Sequence, residues 1–227
     1  MPDHKPLVIG KPDFSDLSQN SLNEDAFQEG LEALTSLDAD LEQVILAYGP
    51  PPFWRREPGF PTLVHIILEQ QVSLASAKAA FDRLRQAADP LTPHHFLKFD
   101  DVELKKIGFS RQKSRYCREL AQAILEDRLD LARLETAADD EVRAKLIEQK
   151  GIGPWTAEIY LLMALRRPDV WPAGDLALAS AVQMVKNLPE TPDTERLEEI
   201  GALYSPWRAV AARIFWHYYL SKKGING

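Results

Sequence analysis

Two glycines and one acidic residue stand out in the segment LIEQKGIGPWTAEIYLLMALRRPDVWPAGDLALASAV (146–182). Gly151 and Gly153 interrupt one helix-like run and open another. A short glycine-rich turn ahead of a helix presents backbone N–H groups at the positive end of the helix dipole, and such a turn can bind a phosphate. Asp175 follows in an apolar surrounding, where a carboxylate can either cap a helix or stabilise a developing positive charge. Spacing alone leaves open whether the turn binds a phosphate or only joins two helices.

The glycine turn matches neither of the common nucleotide-binding loops. A dinucleotide fingerprint needs a preceding strand and a third glycine, whereas a helical pattern precedes Gly151 and Thr156 stands at the third position. A P-loop needs a Gly-Lys-Ser/Thr sequence, which does not follow Gly153. The pattern therefore predicts a helix ended by Gly151 in a left-handed conformation, then a second helix with Pro154 in its first turn.

The composition predicts a packed protein of one large domain or two lobes, because 227 residues with 45% apolar content can form a substantial core. The single cysteine, Cys117, excludes internal disulfides and any four-cysteine zinc or iron–sulfur site, and it fits a reducing compartment. No apolar run reaches the ~18 residues of a membrane span. The N-terminus also lacks the pattern of a signal peptide.

The net charge of −7 is unevenly distributed along the chain. Residues 1–60 contain 11 acidic and 4 basic residues, whereas residues 61–227 are neutral overall. Within the neutral part, ELKKIGFSRQKSRYCR (103–118) carries six basic residues and one acidic residue. This segment is either a solvated helix face or a local basic surface that contacts a polyanion.

Apolar residues recur at spacings of three and four, and strand-like alternation is almost absent, which predicts an all-α fold. We expect residues 1–20 to be irregular and PPPFWRREPGFP (50–61) to be a loop or a joint between lobes. Ser110 is a predicted N-cap. The predicted helices cover 24–49 (as one or two helices), 62–88 (continuous or broken near Val72–Ser73), 92–98, 100–106, 111–127, 139–150, 154–166, 175–187, 193–203 and 206–221.

The hairpin segment resembles the helix-hairpin-helix, Gly/Pro-rich loop and aspartate of the HhH-GPD DNA glycosylases, and is most similar to their 3-methyladenine DNA glycosylase II (AlkA-like) branch. Three further segments resemble the family in the same order, namely FPTLVHIILEQQVSLASAKAAFDRL, IGFSRQKSRYCRELAQAI and YSPWRAVAARIFWHYYL. The resemblance implies that residues 21–227 form two helical lobes with a cleft between them and the hairpin on the DNA-binding side. One lobe would comprise about 60–150, and the other the N-terminal helices plus about 151–227.

The resemblance implies a monofunctional DNA glycosylase of base excision repair. Such an enzyme flips alkylated purines, for example 3-methyladenine or 7-methylguanine, out of double-stranded DNA and hydrolyses the N-glycosidic bond, leaving an abasic site. Asp175 matches the catalytic aspartate of the family. Members that also cut the DNA strand carry a lysine where this chain has Trp155, so the indole implies hydrolysis by water. Lys150 precedes the hairpin and is expected to face the backbone or solvent.

The resemblance also implies an aromatic pocket for the flipped base. Trp155 and Trp216 match positions that line this pocket in alkylbase members, although both also fit apolar helix stripes of the kind that form a core. Ile159 stands where some relatives have a Tyr that lines the pocket, so the neighbouring Tyr160 becomes the candidate for that side of the pocket. Further candidate neighbours of the site are Phe53, Trp54, Trp171, Pro172 and Ala173.

Two adjacent amides, Gln70 and Gln71, match the family's wedge, which fills the gap that a flipped nucleotide leaves. The alternative interpretation is that both are capping amides at a helix kink. The hairpin residues expected at the DNA are Gly151, Ile152 and Gly153. A monovalent cation, Na⁺ or K⁺, would bind there through the main-chain carbonyls of Ile147, Gln149 and Gly151.

Two alternatives stay open from the sequence. One is a non-enzymatic helix-hairpin-helix DNA-binding protein, and the other is a uracil or mismatch glycosylase on the same fold. No cofactor is expected for catalysis, and the single cysteine excludes an iron–sulfur relative. We expect a monomer without membrane partners, cytoplasmic at the nucleoid in a bacterium or archaeon and nuclear in a eukaryote.

Overall fold

The computed structural model describes residues 21–224, and these residues form thirteen helices without a strand, which confirms the all-α prediction. The helices are α1 (Glu24–Leu37), α2 (Ala39–Tyr48), α3 (Phe60–Glu69), α4 (Leu74–Ala87), α5 (Pro93–Phe96), α6 (Asp101–Ile107), α7 (Arg111–Leu125), α8 (Leu131–Thr136), α9 (Asp139–Ile147), α10 (Pro154–Met163), α11 (Leu176–Val185), α12 (Thr194–Ala202) and α13 (Arg208–Lys222). None of the described helices is long and apolar enough to cross a bilayer. The expectation for residues 1–20 lies outside the described residues.

The chain divides into two compact units. Among the described residues, the first unit comprises 21–53 and 168–224 and holds α1, α2, α11, α12 and α13. The second comprises Trp54–Arg167 and holds α3 to α10. The sequence-based division had placed residues 151–167 in the other lobe. They belong to the second unit because α10 packs on α9 and α3.

Helix α13 organises the first unit, where it packs against α1, α2, α11 and α12. Its residues from Ala209 to Trp216 are all buried. Gly30 of α1 permits close approach, since a methyl group at that position would lie 2.9 Å from both Trp207 and Val210. A larger residue at position 30 would therefore force α1 and α13 apart.

A carboxylate network joins α2, α11 and the segment before α13 within the first unit. Asp38 caps α2 by accepting the Asp40 N–H at 3.0 Å, and its carboxylate accepts Lys186 Nζ at 2.7 Å and the Tyr204 hydroxyl at 2.8 Å. Burial raises the pKa of Asp38, but the hydrogen bonds from Lys186 and Tyr204 and the ammonium charge outweigh burial and hold this pKa below 3.8. The network therefore favours the ionised carboxylate.

We expect the Asp38→Asn variant to lower the free energy of unfolding at pH 7 by about 1–3 kcal/mol, because it keeps the helix cap but loses charge-assisted hydrogen bonds. A carboxylate whose pKa is lowered by folding stabilises the folded state above its ordinary pKa of 3.8, and this effect is lost as the pH falls through the folded-state value. The difference between parent and variant should therefore shrink below pH 3.8 in urea titrations. A difference that does not change with pH would contradict the assignment.

The second unit is built on α3, which packs against α4, α7 and α10. The predicted helix 62–88 is broken: α3 ends at Glu69, and α4 begins at Leu74 with Ser73 as its N-cap. Between them Gln71 adopts φ +57°, a left-handed conformation that a glutamine seldom takes. The chain therefore turns sharply between the two helices.

Helix α8 is the element that the sequence pattern did not predict. It has six residues and is capped by Asp130, whose side chain accepts the Arg133 N–H at 3.0 Å. A helix this short shows too little apolar periodicity to be recognised, and its stability comes from tertiary packing. Helices α9 and α10 each end three residues before the predicted limits.

Candidate functional site

The predicted hairpin lies in the second unit between α9 and α10. Gly151 has φ +87°, which confirms the left-handed residue expected after the first helix. The Ile152 side chain is buried, and its N–H donates to the Gln149 carbonyl at 3.0 Å, closing the turn. Pro154 occupies the first turn of α10, as predicted, and no side chain caps that helix. This end of α10 carries the positive end of the helix dipole, which suits it to an external anion.

Two different reasons explain the two glycines of the hairpin. Gly151 combines its positive φ with a close approach to Tyr116 of α7, whose ring would overlap any methyl group at position 151. Gly153 has φ −97° and open space around its Cα, so that neither backbone nor packing requires glycine there. The glycine at 153 instead keeps the outer side of the turn free of side-chain atoms.

The two candidate wedge residues have different environments. The Gln70 Nε2 group donates to the Gly151 carbonyl and to Thr156 Oγ1, both at 2.9 Å. A side chain held in this way is not available to enter a duplex, so the prediction of Gln70 as a wedge is corrected to a role inside the protein. Gln71 is exposed at the tip of the turn between α3 and α4.

The candidate carboxylate lies in the first unit. Asp175 is the N-cap of α11, where its Oδ1 accepts the Leu178 N–H at 2.7 Å. The same oxygen accepts the indole Nε1–H of Trp216 at 3.0 Å. The Asp175 side chain is half-buried, whereas Trp216 is only 8% exposed. The helix cap and the indole together fix the orientation of the carboxylate, and the hydrogen bond from Trp216 was not foreseen from the sequence.

The apolar residues expected around Asp175 are mostly part of the core. Trp171 is 7% exposed, donates its indole N–H to the Leu197 carbonyl at 2.8 Å and packs against Tyr204 and Phe215. Pro172 is buried and Ala173 is half-buried. Trp171 therefore supports the loop that carries Asp175, because its indole is directed into the first unit.

The pocket residues expected on α10 also separate into two groups. Trp155 is half-buried at the start of the helix, whereas Ile159 and Tyr160 are 5% and 0% exposed. The Tyr160 hydroxyl accepts the Gly59 N–H at 3.0 Å, and burial raises the pKa of Tyr160 to about 12. Tyr160 is thus a core residue of the second unit, and its proposed role as a pocket wall is corrected.

The remaining candidate residues lie as follows. Phe53, in the first unit, stacks on Phe27 with ring centroids 4.8 Å apart. Trp54, in the second unit, is half-buried. Lys150 is exposed, and its Nζ lies 3.4 Å from a carboxylate oxygen of Glu119 on α7, so that its amine is directed toward an acidic side chain.

Two of the three main-chain carbonyls proposed for a cation have internal partners. Gln149 O accepts the Ile152 N–H at 3.0 Å, and Gly151 O accepts Gln70 Nε2 at 2.9 Å. Each carbonyl oxygen has a second lone pair, so both remain able to coordinate an ion. The described residues contain no cluster of acidic, histidine or cysteine side chains suited to a metal ion.

Comparison with known proteins places the chain among DNA repair proteins. Residues 64–206 match the family model described as the HhH-GPD superfamily base excision DNA repair protein. A putative DNA-3-methyladenine glycosylase (YfjP) of Bacillus subtilis is 26% identical over 162 residues, which cover 68% of this chain and 56% of that protein. The chain thus spans little more than half the length of that relative.

Two solved structures extend the comparison. The DNA-3-methyladenine glycosidase of Bacillus halodurans is 30% identical, with a TM-score of 0.70, and the match covers 86% of this chain and 91% of that one. The 3-methyladenine DNA glycosylase of Schizosaccharomyces pombe, solved in complex with abasic DNA, is 24% identical, with a TM-score of 0.77, 86% of this chain covered and 97% of that one. At 24% identity, the similarity to the Schizosaccharomyces pombe structure shows a shared fold.

Proposed function

Because this chain belongs to the HhH-GPD superfamily of base excision DNA repair proteins, we propose that it is a DNA glycosylase that removes alkylated purines, such as 3-methyladenine and 7-methylguanine, from double-stranded DNA. The observation that carries the proposal is the half-buried carboxylate of Asp175, held by the Leu178 N–H and the Trp216 indole. The names of the similar proteins support the substrate class.

The carboxylate of Asp175 suits the charge that develops when a purine leaves its sugar. Cleavage of the N-glycosidic bond makes the deoxyribose ring cationic, and an oriented carboxylate lowers the energy of that transition state. The same group can orient the attacking water. Partial burial strengthens its effect because the effective dielectric constant is lower than in water. Two donors already fix this carboxylate, so it needs little reorganisation during the reaction.

The indoles of Trp216 and Trp155 are the proposed partners of the damaged base. An alkylated purine of this kind carries positive charge, and a cation is attracted to the electron-rich face of an indole. Trp216 is fixed by its hydrogen bond to Asp175, so it would hold its plane when a base arrives.

The hairpin and the Gln71 turn are the proposed DNA contacts of the second unit. N–H groups at the start of α10 would bind a phosphate whatever the sequence of the duplex. Gln71 would fill the space of the flipped nucleotide, whose unstacking costs a few kcal/mol. Its exposure at the tip of a sharp turn supports this role.

A Na⁺ or K⁺ ion at the hairpin is part of the proposal. The carbonyls of Ile147, Gln149 and Gly151 would bind it, and a bound cation would link the hairpin to a DNA phosphate. We expect affinity for an abasic duplex to be lower in tetramethylammonium chloride than in potassium chloride at equal ionic strength. Equal affinities in the two salts would argue against the ion.

We propose that the enzyme lacks strand-cleaving lyase activity, because position 155 holds tryptophan and the nearby amine of Lys150 lies against Glu119. Borohydride added during turnover should therefore trap no covalent protein–DNA adduct, and strand breaks should appear only after alkali. A trapped adduct would show that an amine of this chain attacks the sugar.

A panel of three lesions tests the proposed substrate. Duplexes that contain 3-methyladenine, 7-methylguanine or uracil are incubated with the protein, and the released bases are separated by chromatography. The proposal predicts release of the alkylated purines and no uracil. Uracil release alone would identify a uracil glycosylase, and tight binding to abasic DNA without release of any base would identify a DNA-binding protein.

A further inference from the structure

The exposed turn at Gln71 is anchored by a lysine from another helix. Lys113 of α7 donates its Nζ to the carbonyl oxygens of Leu68 and Gln70, both at 2.8 Å. These carbonyls belong to the end of α3, where helical geometry leaves the last C=O groups without intrahelical partners. Lys113 is half-buried, so this contact differs from that of a mobile surface lysine. The amine thus fixes the backbone directly before Gln71.

The side chain of Gln70 joins the same turn to the hairpin. Its Nε2 group bonds the Gly151 carbonyl and the buried hydroxyl of Thr156. Lys113 therefore holds the main chain of Gln70 while the Gln70 side chain holds the hairpin. The two contacts form one continuous link across the second unit.

Helix α7 supports both ends of this link. Lys113 and Tyr116 are three residues apart and therefore lie on the same side of the helix. Lys113 binds the turn, and Tyr116 lies directly beneath Gly151. Glu119, three residues further, contacts Lys150 at 3.4 Å. One stripe of α7 thus contacts the turn, the hairpin glycine and the residue before it.

We propose that Lys113 and Gln70 are positioning residues that fix the distance between the Gln71 turn and the phosphate-binding hairpin. This inference rests on the proposed function, in which Gln71 enters the duplex while the hairpin binds the backbone. Both contacts must match the dimensions of the duplex at the same time, so a separation that is set before binding favours their joint formation. Pre-organisation of this kind lowers the cost of ordering on binding.

The first test needs no DNA and uses hydrogen exchange of the peptide that covers residues 70–74. Lys113→Met removes the donor and keeps an aliphatic chain, and Lys113→Arg keeps a cationic donor. Lys78→Met, in an exposed ion pair of α4, is the matched control for loss of one charge in the same unit. We expect exchange about tenfold faster in Lys113→Met, because local opening becomes easier, and parent-like exchange in the other two variants.

The second test follows the duplex itself. An abasic duplex with 2-aminopurine beside the lesion becomes fluorescent when an inserted side chain unstacks it. At saturating protein, Lys113→Met and the isosteric Gln70→Glu, which loses both donors, should lose most of this signal. Both should slow single-turnover base release by about tenfold to a hundredfold, the scale expected when a positioned group shifts by about 1 Å. Lys113→Arg should recover most of the signal and rate.

The outcomes separate this inference from the proposed function. Folded Lys113→Met and Gln70→Glu variants with parent-like exchange, fluorescence and release would overturn the positioning role. Faster exchange with unchanged fluorescence and release would also overturn it, because the link would then serve stability alone. If the parent chain itself released no alkylated purine, the proposed function would fail, whatever the variants do.

Discussion

Replacing Asp175 by asparagine should slow the single-turnover release of 3-methyladenine by at least about a hundredfold, the loss expected when a pre-organised electrostatic group is removed at the reacting centre. The substitution changes charge with little change of shape. The amide oxygen of asparagine can still accept the Leu178 N–H and the Trp216 indole N–H, so the orientation of the group is preserved. The lost rate would therefore report the negative charge itself.

The Asp175→Asn substitution should affect catalysis without affecting folding, because Asn is as good an N-cap as Asp. We expect the thermal midpoint of Asp175→Asn and its affinity for an abasic duplex to stay near parent values. Asp193→Asn is a matched control, because Asp193 caps α12 of the same unit and accepts the Arg196 N–H at 2.9 Å. This control should release base at the parent rate. Equal slowing in both variants would mean that the effect comes from capping.

The second large effect is on stability, at the hairpin glycine. Gly151→Ala should lower the free energy of unfolding by about 2–6 kcal/mol, because a left-handed backbone and an overpacked contact each cost about 1–3 kcal/mol. The new methyl group would overlap the Tyr116 ring, and the backbone at φ +87° would be strained even without that contact. Either the hairpin or the α7 side chain must move.

Gly153→Ala is the control for Gly151→Ala, since it adds the same methyl group two residues away. Position 153 has φ −97° and open space, so its free energy of unfolding should stay within about 0.5 kcal/mol of the parent. Affinity of Gly153→Ala for an abasic duplex should fall nonetheless, because the methyl group lies on the side proposed to meet a phosphate. Urea titrations measure the free energy of unfolding, and binding isotherms measure the affinity for the abasic duplex. Equal unfolding midpoints for Gly151→Ala and Gly153→Ala would contradict the packing argument.

Local chemistry made several features predictable from the sequence. Gly151 permits the left-handed backbone and Pro154 fixes a φ that suits a first helical turn, so the hairpin could be anticipated from two residues and their spacing. Asp175 as an N-cap followed from its place before an apolar run. A break near Val72–Ser73 was one of two alternatives for the predicted helix 62–88, and serine favours the N-cap position that Ser73 occupies in α4.

The features that were missed depend on partners far along the chain. The Gln70 side chain bonds Gly151, 81 positions away, so neighbouring residues gave no sign that its amide faces inward. Tyr160 is buried by its hydrogen bond to Gly59 and by packing within the second unit. The role of Lys113 could have been suspected from its place in the basic segment 103–118, but its target carbonyls are defined only by the fold.

Release of free 3-methyladenine from methylated duplex DNA is the measurement that most directly tests the central claim, that the carboxylate at position 175 promotes departure of the base. The parent chain should liberate the base and leave an equal number of alkali-labile sites, and the Asp175→Asn variant should do so at least about a hundredfold more slowly. Parent-like release by the folded variant, or no release by the parent chain, would contradict the account.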